Sequence, residues 1–133
     1  MSGETNLARL LANLTPELDS TEYVYCCVKQ RPDGITDEDC LAYIHEREGL
    51  TLVLTRQKAD ALQLSWQGPF HCVCLTIHSS LEAVGLTAAV SGALAQNGVS
   101  ANMLAGYYHD HILIPCAQAE QAMQVLQGLT KDY

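Results

Sequence analysis

Basic residues are scarce in this chain: seven Lys and Arg stand against fifteen Asp and Glu, a formal charge of −8. A surface that neutralises phosphates needs the opposite balance, so nucleic-acid partners are excluded, and aromatic–basic interleaving is missing too. No apolar run approaches the roughly 20 residues that span a bilayer, and the first residues lack the basic and apolar stretches of a secretion signal. A cytoplasmic location is therefore expected, where the six cysteines are reduced. No low-complexity tract or Gly/Ser linker interrupts the 133 residues, which suffice to bury a real core.

The second half of the chain carries the clearest patterns. Phe70 to Leu75 reads as a strand, and a helix follows with Leu86, Val90, Ala93 and Leu94 on one face until Asn97-Gly98 stops it. Val99, Ala101, Met103 and Ala105 alternate with Asn102 and Leu104 along a second strand, and Ile112 to Ile114 closes a hairpin. After Pro115 a last helix sets Ala119, Ala122, Met123, Leu126 and Leu129 at helical spacing. Strand, helix, strand, strand, helix is the order of an α+β sandwich, with helices on one face of an antiparallel sheet.

The first half reads as a short apolar helix from Asn6 to Leu14, a strand from Glu22 to Lys29, and two strands, Leu41 to Glu46 and Leu50 to Thr55. A short helix, Gln57 to Leu62, completes it. Between Gln30 and Cys40 the residues are polar, with Pro32 and Gly34, which predicts a loop where a helix would complete the pattern. The N-terminal helix is expected to cover the face left vacant. Two units of about 65 residues are each marginal alone, so units at 1–65 and 70–133 are expected to fold together, with Ser65 to Pro69 as junction.

Chemistry concentrates at the start of the helix near residue 85. Ser79, Ser80 and Glu82 form an S-x-x-E capping pattern ahead of Val84, Gly85 and Leu86, and a helix start there aims its N–H groups and positive dipole end at the preceding loop. Carboxylates and phosphates bind such ends, and Gly85 lacks the Cβ that keeps a ligand from the backbone. The turn Tyr107, Tyr108, His109, Asp110 and His111 is the other concentration, with Asp110 expected to serve the backbone geometry of the turn.

Two rival chemistries are weaker. His71, Cys72, Cys74, His78, His109 and His111 are all potential metal ligands, but no C-x-x-C pair or H-x-x-x-H helix is present, and strand alternation sends His71 away from Cys72 and Cys74. His78 beside Ser79 and Ser80, or Cys116 with a distant histidine, offers a nucleophile and a base without an oriented third group or nucleophile elbow. Neither metal, cofactor nor catalytic residue is assigned.

The run from Val73 to Leu129 resembles an ACT domain, the βαββαβ ferredoxin-like module that regulates amino-acid metabolism. VGLTAAVSGALAQNGVSANML is similar to the second regulatory repeat of aspartate kinases. HSSLEAVGLTAAVS, AGYYHDHILIP and EGLTLVLTRQKADAL resemble small stand-alone bacterial proteins of unknown function built from two ACT-like units. The resemblance implies a tandem ACT-like fold, an atypical first unit, a homodimer and a non-catalytic sensor of an amino acid or related carboxylate. The ligand would lie at His78, Ser79, Ser80, Val84, Gly85 and Leu86, with Asn102, His109, Asp110 and His111 supplying polar contacts. The alternatives are a metal-binding protein and a structural interaction module without a ligand.

Overall fold

The computed structural model describes residues 6–76 and 84–131. The elements are α1 (Leu7–Ala12), β1 (Pro16–Val28), β2 (Cys40–His45), β3 (Leu50–Thr55), α2 (Arg56–Ala61), β4 (Gln67–Leu75), α3 (Leu86–Gln96), β5 (Asn102–Ala105), β6 (Asp110–Pro115) and α4 (Ala119–Lys131). The chain divides into a larger unit, holding residues up to Ser20 and from His71 onward, and a smaller unit, Thr21–Phe70.

The two long strands each serve both units, because β1 changes unit after Ser20 and β4 after Phe70. Strands are ordered β2-β3-β1-β4 in the smaller unit and β1-β4-β6-β5 in the larger. The pairs β1·β3, β2·β3 and β5·β6 are antiparallel. In the larger unit the start of β1 thus fills the place beside β4 that a strand following α4 would take. The Thr76 N–H and hydroxyl both donate to the Thr15 carbonyl there, at 3.0 and 2.7 Å.

The strand alternation read from sequence sorts the residues into two faces. In the larger unit Val73, Leu75, Ile112 and Ile114 turn inward against Leu86, Val90 and Leu94 of α3 and Ala122 and Leu126 of α4, all but solvent-free. In the smaller unit Val24, Cys26, Leu50, Leu52 and Leu54 close on Ala59 of α2. Each fully buried Leu contributes about 2–3 kcal/mol by removing its apolar surface from water.

Helix α3 ends as the Asn97-Gly98 pair requires. The Val99 N–H reaches the Leu94 carbonyl (2.9 Å) and the Gly98 N–H the Ala95 carbonyl (3.0 Å), the paired bonds of a Schellman motif. Val99 is spent on this cap and on the core, so β5 starts at Asn102 and not at Val99.

Three expectations change. Strand β1 begins at Pro16, six residues before the predicted Glu22, because pairing beside β4 makes a strand of a polar stretch that has no alternating apolar face. Helix α1 does not cover a vacant face of the first half; it packs against α3 and α4 of the larger unit, with Leu10 and Leu11 fully buried. The chain entering β1 runs alongside α4, where the Thr130 hydroxyl donates to the Leu14 carbonyl at 3.2 Å.

The predicted loop between β1 and β2 fills the smaller unit's missing helix position by itself. It drives Ile35, 5% exposed, into the core. Two guanidinium N–H groups of Arg31 hold the Ile35 carbonyl (2.9 and 2.6 Å) while Arg31 also meets Asp37 at 3.0 Å, and Lys58 of α2 donates to the Gly34 carbonyl at 3.1 Å. The third correction concerns the hairpin turn. It spans Gly106 to His109, closed by the Gly106 N–H donating to the His109 carbonyl at 2.9 Å. Asp110 opens β6 opposite Ala105, so its backbone serves the strand and not the turn. Gly106 takes the turn role, since a Cβ there would lie 2.8 Å from the His109 carbonyl oxygen.

Candidate functional site

All the described residues among those predicted belong to the larger unit. His78, Ser79 and Ser80 lie outside the described residues, as does Glu82 of the capping pattern. Beyond them, Val84 is 84% exposed and Gly85 is the N-cap of α3, with φ +97. Helix α3 therefore begins at Leu86, with its N-cap six residues beyond the Ser79 that the S-x-x-E pattern implied. A glycine cap brings no side chain of its own to the first-turn N–H groups, which have no acceptor within the helix.

Gly85 also has a structural account. An L side chain resists its left-handed backbone, and a Cβ there would meet Leu7 Cδ2 of α1 at 3.1 Å. Leu7 thus closes one side of the helix start, and a ligand must approach the first-turn amides from the side away from α1.

Strand β6 supplies the charged partner groups. Asp110, half-buried, has its pKa raised by burial, which attraction to His111 partly offsets. Burial lowers the pKa of His111, His109 lowers it further, and Asp110 pulls the other way. Cys74 of β4 is pushed up by burial first, then by Glu17 and Asp110. Cys74 is thus within electrostatic reach of Glu17 and of Asp110, and Asp110 of His111, near the end of β4. His111 packs over the hairpin turn, its Nε2 3.2 Å from the position of a Gly106 Cβ.

Other predicted residues are not drawn in. Asn102 opens β5 opposite Leu113, three residues from Ala105 and so about 10 Å along the strand from Asp110's partner. Its side-chain amide donates to the Leu113 carbonyl at 3.2 Å. Tyr107 and Tyr108, 69% and 62% exposed, turn their rings on each other edge-to-face at 4.9 Å.

Cys72 does not resemble a nucleophile. Burial, Cys74 and Asp19 push the Cys72 thiol up to about 11, which keeps it protonated near neutrality. Among the described residues no group of three His, Cys, Asp or Glu side chains is placed to hold a metal ion.

Two concavities escaped the sequence reading. One, of about 430 Å³ in the smaller unit, is lined by Thr21, Glu22, Thr55, Arg56, Gln57 and Asp60. Its cation is already engaged: Arg56 lies 2.9 Å from Glu22, 3.6 Å from Asp60 and 5.1 Å over the Trp66 ring. The other, of about 550 Å³, runs between α3 and α4 and is lined by Gln96, Gln121 and Gln124 among others.

The fold defines a class: a pair of ACT-like units. Two family models, each described as an ACT domain, match at residues 2–71 and at 67–128, and the chain belongs to the ACT-domain family. ACT domains are regulatory, ligand-binding modules and not catalysts. The chain is 44% identical to a Vibrio cholerae protein of unknown function, a possible transport protein, over 93% of this chain and 95% of that one (TM-score 0.84). A protein from Agrobacterium tumefaciens shares the fold at 13% identity, covering 88% of this chain and 89% of that one (TM-score 0.75). The regulatory subunit of aspartate kinase from Thermus thermophilus, in its ligand-free form, does so at 13% identity, 86% and 95% coverage and a TM-score of 0.64. No curated protein matches the chain. No helix among the described residues is long and apolar enough to cross a membrane.

Proposed function

We propose that this protein is a non-catalytic sensor or regulatory protein that binds an amino acid or related carboxylate in its larger unit, acting as a cytoplasmic homodimer. The observation that carries the reading is the glycine-started helix α3, whose first-turn amides have no acceptor within the helix; His78, Ser79 and Ser80 precede it in sequence. Those amides, from Val84 to Leu86 onward, suit a carboxylate. Asp110, a partly desolvated carboxylate, suits the ammonium group of the same ligand, with His109 and His111 flanking it in sequence. Similarity to regulatory subunits of aspartate kinase supports a regulatory role for such binding.

An interaction module without a ligand is the second reading, and the exposed Tyr107–Tyr108 pair favours it. Thermal denaturation against the twenty L-amino acids separates the two, since a ligand that binds only the folded state stabilises it as its concentration passes the dissociation constant. The sensor reading expects a saturable rise with at least one amino acid, reduced in Asp110→Asn. A flat panel, confirmed by calorimetry, removes it.

A further inference from the structure

We propose that the groove between α3 and α4 of the larger unit binds a neutral peptide group, the N–H and C=O of a small amide or of a peptide segment, through the carboxamides of Gln124 and Gln96. The groove lies toward the end of α3 away from Gly85 and is independent of the proposed carboxylate site.

Glutamines recur at three-residue spacing here, Gln118 just before α4 and Gln121 and Gln124 within it, which turns all three to the same side. Two of them already hold peptide groups of the chain. The Gln118 carboxamide accepts from the Ser100 N–H at 3.2 Å and donates to the Gly98 carbonyl at 2.9 Å, and Gln121 donates to the Asn97 carbonyl at 2.8 Å. These bonds anchor the connection that leaves α3. Gln124 stands one turn further along α4, where it lines the groove together with Gln96, and neither side chain is hydrogen-bonded to another described residue. Each offers a peptide group the same donor and acceptor pair that Gln118 uses.

The groove has the room and the lining for such a group. Its volume of about 550 Å³ falls within the roughly 300–1,000 Å³ of small-molecule sites, and Ala93, Val125 and Leu129 give it apolar walls. Gly128 keeps it open. This glycine stands inside the 13-residue helix α4, where only proline is less favourable, yet a Cβ there would meet no atom within 4 Å. Packing within the chain therefore does not call for glycine at this position, and a side chain would take up the space of the groove. No described residue that lines it is charged, although the chain holds seven basic and fifteen acidic residues. An ionic ligand would leave water with no counter-charge to meet it, so the occupant is neutral.

Proton–nitrogen correlation spectra of the side-chain amides, recorded while the intact chain is titrated with N-acetylalaninamide and, separately, with blocked tri-alanine, test the site. Both probes are neutral and carry peptide groups; L-alanine, a zwitterion, is the comparison. Saturable shifts of the Gln124 and Gln96 amide signals are expected with the blocked probes and not with L-alanine. Tighter binding of tri-alanine assigns the site to a peptide segment, and equal binding assigns it to a small amide. Gln124→Ala is expected to weaken binding at least about tenfold, as loss of its hydrogen bonds implies. Gly128→Leu should fill the groove and weaken binding as much while raising the melting temperature, since leucine favours the helix, which separates loss of the groove from loss of the fold. Gln127→Ala, on α4 but outside the lining, should bind as wild type does. Titrations in which neither blocked probe shifts these amides, in which L-alanine shifts them equally, or in which folded Gln124→Ala and Gly128→Leu bind like the wild type, overturn the site.

Discussion

The two units solve one problem in different ways. Each sheet has an inward face to cover between its first and second strands. The larger unit covers it with α3, eleven residues ending in a Schellman cap, and the smaller covers it with a loop pinned by Arg31 and Lys58. The consequence is chemical as well as structural. A helix start presents amides and a positive dipole end toward the adjoining loop, while the pinned loop presents carbonyls already bonded to cations. The proposed carboxylate site accordingly falls in the larger unit.

The largest expected effect comes from the shared reliance on packed cores. Leu94→Ala in α3 and Leu52→Ala in β3 should each lower stability by about 2–5 kcal/mol, since both side chains are fully buried and leave a cavity. Urea denaturation followed by far-UV circular dichroism measures both. A loss under about 1 kcal/mol at either position would mean that the core is placed wrongly.

Next in size is Gly85→Ala, expected to cost about 1–3 kcal/mol because it forces φ +97 on an L residue and presses a methyl toward Leu7. The double variant Leu7→Ala/Gly85→Ala should recover the steric part and retain the backbone part. A Gly85→Ala protein as stable as wild type would show that the left-handed cap is not formed in solution.

Arg31→Ala probes the replacement of helix by loop. Its hydrogen bonds to the Ile35 carbonyl are part-buried, while its contact with Asp37 is exposed and contributes little. About 1 kcal/mol should be lost, with faster hydrogen exchange confined to the smaller unit. Faster exchange across α3 instead would break the contrast between the units.

The smallest effect is a pH dependence at β6. The folded-state pKa of His111 lies below its usual 6.5, so the fold prefers the neutral ring; its contribution is full above 6.5 and is lost as pH falls toward the folded value. Asp110 has the opposite sense. Its raised pKa means the fold prefers the protonated acid, a contribution present below 3.8 and lost as pH rises through the folded value. At pH 7 Asp110→Asn should therefore be neutral to slightly stabilising, and His111→Gln should flatten the fall in melting temperature between pH 7 and pH 5. A Tm profile unchanged by His111→Gln would contradict the burial assigned to that ring.

What the sequence made legible is what local pattern controls. The stripe of Leu86, Val90 and Leu94, the Asn97-Gly98 stop, the hairpin at the end of β5 and the loop of residues 30–40 each depend on neighbours a few positions away. Features set by distant partners were not legible. Pro16 to Ser20 become strand because β4 lies beside them, and α1 joins the larger unit because β1 starts there. The site divides in the same way. Gly85 stood out as a glycine before an apolar stripe, but Leu7 behind it lies 78 positions away and gave no signal. Asp110 was noticed for its turn chemistry, whereas its partial desolvation next to Cys74 depends on the order of strands.

The ligand claim is tested most directly by isothermal calorimetry with the twenty L-amino acids on wild type and on Asp110→Asn, both at pH 7. The account predicts saturable binding of at least one amino acid to wild type, with affinity at least about tenfold lower in the variant, as loss of a charge-assisted hydrogen bond implies, and an unchanged fold. No saturable heat from any amino acid on folded wild type would contradict it.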